Sequence, residues 1–243
     1  MYKAGFSRHI SWLSSLCDHL KNGSIPYSCR TVYEGRNKVI ACKTDSEEVN
    51  IKIFRKPGIL KSIIYGWLRP TKARRSFNHS LRLLDAGIAT PQPLAFIDVY
   101  SPLHTLGRSY YVSEQLGDEW KEIRYMEERP DYRAMVEALG KWVAGVHLKG
   151  VLVKDLSPGN ILFRITPQGY EFCMVDVNRM GFDCRDRRRQ LYRAGWLMNS
   201  EESSADFARH YAQAAEIPEQ EAVDIVLNSY RRLQRRARRK HFL

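Results

Sequence analysis

Residues 49 to 54 put Val49, Ile51 and Ile53 on one parity and Asn50, Lys52 and Phe54 on the other, the period of a β-strand. Lys56-Pro57-Gly58 ends that run. A short helix is expected over Ile59 to Leu68, with Ile59, Leu60, Ile63, Ile64, Trp67 and Leu68 on one side. This concentration of apolar groups predicts a core helix, with a shallow seat in a membrane interface as the alternative. A second helix is expected from Thr71 to Ala86, with Ala73, Phe77, Leu81 and Leu84 aligned and Gly87 as its C-cap. Tyr110 to Val112 reads as a strand, followed by the polar segment Ser113 to Asp118.

Beyond that point the period changes. Asp131 opens a helix to Lys149, along which Met135, Leu139, Trp142, Val143 and Val146 recur at helical spacing, and Gly150 closes it. Ile161–Ile165 and Tyr170–Val175 are strands joined by Thr166-Pro167-Gln168-Gly169, hence a hairpin. Helices over Ser204–Ala215 and Pro218–Arg239 complete the chain. Strands first and helices second predict an α+β protein of two lobes, residues 1–117 and 118–243, divided near Gly117.

Composition narrows this little. The 243 residues are 44% apolar and 27% charged, as in a globular protein, and the net charge of +12 calls for an anionic partner. Cys17, Cys29, Cys42, Cys173 and Cys184 are odd in number with no CxxC pair, so reduced thiols are expected. Residues 1–20, broken by His9, Asp18 and serines, lack the apolar block of a signal peptide, and no run suits a membrane span. A cytoplasmic protein able to lie against a membrane is the expectation.

The densest chemistry lies at Lys154-Asp155-Leu156-Ser157-Pro158-Gly159-Asn160 and at Asp176. Asn160 immediately precedes the first hairpin strand and Asp176 follows the second. Antiparallel pairing therefore brings their oxygens to one end, where both can bind a magnesium ion. Asp155, on the loop before Asn160, is a carboxylate placed to take a proton from an attacking hydroxyl. Asp-x-x-x-x-Asn, a hairpin and a following Asp match the kinase catalytic loop and metal-binding Asp. Upstream, Val49-Asn50-Ile51-Lys52 resembles the kinase strand whose lysine holds ATP phosphates, with Lys56 as the competitor. Gly35 alone stands where a glycine-rich loop belongs. Ser113 to Leu116, with Glu114 and Leu116, would be the adenine-binding hinge.

Taken together, Gly35-Arg36-Asn37, Asn50–Phe54, Lys72–Phe77, Gly87–Pro93, Ser109–Ser113, Lys154–Leu162 and Val175–Met180 resemble the lipopolysaccharide kinase family, the Kdo and heptose kinases, over about residues 33 to 181. The resemblance implies a protein-kinase-like fold and ATP-dependent phosphorylation of a sugar hydroxyl of the lipopolysaccharide inner core, at the cytoplasmic face of the inner membrane. By position it makes Asp155 the catalytic base, gives Lys52 the ATP phosphates, and makes Asn160 and Asp176 magnesium ligands. Two positions depart from the pattern. Val153 stands where a His is usual, and Asn78 and His79 stand where the helix glutamate partner of the lysine is expected, so Glu47 or Glu48 could serve instead. A phosphotransferase of the aminoglycoside or choline kinase type and a catalytically impaired kinase-like binding module are the alternatives.

Arg179, Arg185, Arg187, Arg188, Arg189 and Arg193 follow Asp176. In a kinase this stretch faces the acceptor, and guanidinium forks suit carboxylates and phosphates. Arg179, Arg185, Arg187 and Arg188 are the candidates for contact with an anionic sugar. The tail from Arg231 to Lys240, with Tyr230, Leu233, Phe242 and Leu243, reads as a basic amphipathic end suited to anionic lipid. No helix-turn-helix, RNA-recognition or zinc-finger pattern accompanies it, which disfavours nucleic acid. His79 and His147 have no ligand-spaced neighbour and read as structural or exposed.

Overall fold

The computed structural model describes residues 1–7 and 11–241. His9, Phe242 and Leu243 lie outside the described residues. The chain forms two compact units, Met1–Gly117 and Asp118–Leu243. The fold is the expected α+β one: an antiparallel sheet in the first unit and mainly helices in the second.

The first unit comprises β1 (Tyr2–Phe6), α1 (Ser11–Asn22), β2 (Cys29–Glu34), β3 (Lys38–Lys43), β4 (Glu48–Phe54), α2 (Ile59–Trp67), α3 (Lys72–Asp85), β5 (Pro93–Tyr100) and β6 (Leu106–Glu114). Its sheet runs β1-β5-β6-β4-β3-β2. Strand alternation divides the core in two. Val49, Ile51, Ala95, Ile97, Tyr110 and Val112 pack with Leu13, Leu16 and Leu20 of α1. Phe54, Phe96 and Tyr111 pack with Ala73 and Phe77 of α3. Thr71 caps α3 by accepting from the Arg74 N–H, and Gly87, at φ +63°, supplies the left-handed turn after it.

Two expectations are corrected here. Cys29 and Cys42 are joined by a disulfide, because β2 and β3 pair in a register that sets them opposite each other with Cα atoms 4.1 Å apart. Cys17, Cys173 and Cys184 are not disulfide-bonded. The helix over residues 59–67 is present, but it is not a core helix: Ile59, Leu60, Trp67 and Leu68 are exposed, and the buried residues of α2 are Ser62 and Gly66.

The second unit comprises β7 (Lys121–Glu122), α4 (Tyr132–Leu148), β8 (Leu152–Val153), β9 (Ile161–Thr166), β10 (Gly169–Met174), β11 (Met180–Gly181), α5 (Arg187–Ala194), α6 (Glu201–Ala215) and α7 (Glu219–His241). α4 packs on α6, α6 on α7, and α5 on α7. Met135, Leu139 and Val143 are buried along α4 as their spacing predicts. Asp131 precedes α4 but does not cap it; its carboxylate takes Arg129 Nε at 2.9 Å and Tyr170 Oη at 2.9 Å instead. His147 is buried and meets Tyr211 Oη at 3.0 Å; desolvation pushes its pKa down to about 3, so the ring stays neutral.

Candidate active site

The hairpin β9–β10 carries the site. Ile161 pairs with Met174, and beyond that pair the Val175 N–H donates to the Asn160 carbonyl at 2.9 Å. The ladder thus extends one step past the strands and ends between Asn160 and Asp176. Asn160 Nδ2 donates to the Asp155 carbonyl at 2.8 Å, closing the loop that leads from one to the other. That donation directs the opposite arm of the amide, Oδ1, as its acceptor end. Asp176 occupies the left-handed region at φ +53°, a conformation that costs a non-glycine residue about 1 kcal/mol or more and therefore marks a constrained position. Its Oδ1 accepts from Asn178 Nδ2 at 2.5 Å.

A second short ladder positions Asp155. β8 pairs with β11, Val153 opposite Met180, and the Lys154 N–H donates to the Arg179 carbonyl at 3.0 Å. Asp155 emerges from this ladder half-exposed, with Arg179 Nη1 at 3.4 Å from its Oδ2. Val153, where a His is usual, is buried in β8. Behind the loop, the buried amide of Gln190 on α5 donates to the carbonyls of His147, Val151 and Cys184 at 3.0, 3.1 and 3.3 Å. It ties the end of α4 to the strand that delivers Asp155. Gly159 sits so tightly against the Arg124 guanidinium that a Cβ there would clash with it.

Asp155, Asn160 and Asp176 are therefore brought together by two ladders and one side-chain bond. Asn178, Arg124 and Gln190 are supporting residues beyond the expected set. Asn178 stood within the Val175–Met180 motif; Gln190 carried no signal, since a lone polar residue in an arginine-rich run reads as solvated.

In the first unit, Lys52 lies on the α3 face of the sheet, opposite Tyr111 in the β4–β6 register and 5.7 Å from the Phe54 ring. Lys56 falls in the exposed turn after β4. On α3, Ser80 Oγ bonds Tyr111 Oη at 2.9 Å, and the helix carries no acid before Asp85. Glu48, one alternative partner for Lys52, lies 3.4 Å from Arg30. Gly35 lies in the β2–β3 turn, its N–H donating to the Asn37 carbonyl. At the expected hinge, the Glu114 N–H donates to Gln92 and the Gln115 N–H to Glu48, while Gln115 Nε2 bonds the Leu116 carbonyl.

The arginines after Asp176 separate by direction. Arg179 faces Asp155, Arg185 is exposed, and Arg188 pairs with Glu221 at 3.2 Å. Arg187 turns inward instead: one guanidinium nitrogen is buried, and the group interacts with Tyr211. The segment is helical from Arg187.

The sequence profile of the lipopolysaccharide kinase (Kdo/WaaP) family matches residues 32–211. The chain belongs to that family. It is a phosphotransferase that phosphorylates a sugar hydroxyl of the lipopolysaccharide core, and the aminoglycoside-type alternative is not favoured. Among solved structures, it resembles WaaP in complex with acyl carrier protein, with 18% identity, 98% of each chain covered and a TM-score of 0.59. A microcompartment-associated aminopropanol kinase matches at 14% identity over 90% of this chain and 85% of that one, TM-score 0.59. The Rio2 kinase–ADP/Mg2+–phosphoaspartate complex from Chaetomium thermophilum matches at 14% over 91% and 71%, TM-score 0.51. At these identities the structures establish the fold. No curated protein sequence matches the chain.

Proposed function

We propose that Asp155 is the base of an ATP-dependent sugar kinase and that Asn160 and Asp176 are its metal ligands. The observation that carries this is the pair of hydrogen bonds, Val175 to Asn160 and Asn160 to Asp155, that gathers all three residues at the hairpin end. Asn160 Oδ1 and the Asp176 carboxylate are hard oxygen donors of the kind magnesium prefers. Two protein ligands suit an ion that keeps waters and substrate phosphates as the rest of its shell. Such an ion would neutralise charge on the ATP phosphates.

Asp155 accepts the proton of the acceptor hydroxyl as the oxygen attacks the γ-phosphorus. Arg179, beside it, orients the carboxylate and offers its remaining N–H groups to an anionic sugar, with Arg185 as a second contact. Lys52 holds ATP phosphates, Gly35 lies in the turn covering them, and Glu114 and Leu116 line the adenine site. The acceptor is an inner-core sugar carrying acidic groups, reached at the cytoplasmic face of the inner membrane. The excess of Lys and Arg supports an acidic acceptor.

Mass spectrometry of host lipopolysaccharide tests this. Removing the protein should remove one phosphate from the inner core, and wild-type protein, but not Asp155→Asn, should restore it. Unchanged lipopolysaccharide after removal would exclude this acceptor.

A further inference from the structure

Helix α2 packs the wrong side inward for a core helix. Ser62 Oγ donates to the Leu106 carbonyl, and a Cβ at Gly66 would overlap the His104 carbonyl, so the backbone of α2 lies directly on residues 104–106. The large side chains are left outside. Leu60, Ile63 and Trp67, at i, i+3 and i+7, are 74%, 43% and 70% exposed, with Leu68 at 77% and Leu103 from the adjoining loop at 82%.

The charge around this face is of one sign. From Arg55 to Leu84 the chain carries eight Lys and Arg and no Asp or Glu. At the C-terminal end of α2 lies a cleft of about 190 Å³ whose lining includes Lys3, Trp67, Arg69, Arg74 and Tyr100. Lys3 sits over the Tyr100 ring and Arg74 over the Phe96 ring, which steadies two of the three cations. Asp98, whose charge acts on Lys3 and Arg74, is buried and accepts from Thr71 and Ser109.

We propose that α2 seats this protein on an anionic bilayer, with Leu60, Ile63, Trp67 and Leu68 among the acyl chains and a phospholipid phosphate in the Lys3–Arg69–Arg74 cleft. An apolar protein partner would cover the helix face but leave the cations without counter-charge. A nucleic acid would satisfy the cations but leave Leu60 and Trp67 in water. An anionic membrane interface satisfies both at once. The inference gives a surface to the membrane location proposed above, and it does not depend on the phosphotransfer chemistry.

Vesicle flotation of the full chain tests it, with phosphatidylcholine alone and with added phosphatidylglycerol. Wild-type protein should float with the anionic vesicles and not with the neutral ones. Leu60→Ser/Trp67→Ser should weaken that partition by about tenfold or more, at unchanged thermal midpoint and unchanged ATP binding. Arg69→Glu/Arg74→Glu should abolish the preference for phosphatidylglycerol, and millimolar inorganic phosphate should not displace the wild type. Equal flotation of wild type and the Leu60/Trp67 variant would overturn the proposal, as would equal binding to both vesicles. A concentration-dependent dimer lost in that variant, without vesicle binding, would also overturn it and assign the face to a second copy. Failure of flotation with sugar phosphorylation intact would leave the kinase assignment standing.

Discussion

Asn160 Nδ2 reaches the Asp155 carbonyl at 2.8 Å, so one side chain both shapes the loop that carries Asp155 and presents an oxygen at the hairpin end. Its two ends are not interchangeable. Asn160→Asp keeps oxygen for the metal but loses the donor, and it places a carboxylate against the Asp155 carbonyl. Turnover should fall by about 10²-fold, with a changed magnesium dependence, in a steady-state assay titrated with the metal. Wild-type magnesium dependence in this variant would count against Asn160 as a ligand.

Lys52 and Lys56 are separated by the end of β4. Lys52 stands on the α3 face of the sheet; Lys56 follows in an exposed turn. Lys52→Met should lower kcat/KM by about 10²-fold or more, while Lys56→Met should leave it within about twofold. Kinetics of the two variants side by side decide between them.

Val153 occupies the place of a usual histidine, but here it is an apolar strand residue, 3% exposed and opposite Met180. Val153→His should therefore not improve catalysis. It would bury an imidazole among apolar neighbours and destabilise the fold by about 1–3 kcal/mol, seen as a lower thermal midpoint.

His147 makes stability depend on pH. Its folded pKa, about 3, lies below the ordinary value of 6.5, so between these values the unfolded chain binds the extra proton. The contribution of this group is complete above about pH 6.5 and is lost as pH falls toward 3, with a limiting slope of about 1.4 kcal/mol per pH unit. Asp98, raised to about 6 by burial, acts in the opposite sense between its ordinary 3.8 and 6. The informative quantity is the difference between wild type and His147→Gln in urea unfolding from pH 7 to 4. Wild type should lose more stability than the variant as pH falls.

Much of this was legible because periodicity and motif spacing are local. The alternation at residues 49–54, the helical spacing from Met135 to Val146 and the Thr166–Gly169 turn each specify an element without knowledge of the rest. The hairpin also implied that Asn160 and Asp176 would be neighbours. What could not be read depends on pairing or orientation. The Cys29–Cys42 bond follows from the β2–β3 register. The face α2 buries is set by Ser62 and Gly66, small residues that give no hydrophobic signal. α5 was hidden because Arg187, Arg188, Arg189 and Arg193 mask the short buried row of Gln190, Leu191 and Ala194.

The phosphotransferase account rests most directly on Asp155. Single-turnover transfer from radiolabelled ATP to purified inner-core lipopolysaccharide, paired with nucleotide binding on the same samples, isolates its role. Asp155→Asn should lower the transfer rate by about 10²–10⁴-fold with ATP affinity nearly unchanged. Transfer at the wild-type rate by Asp155→Asn would contradict the assignment of the base.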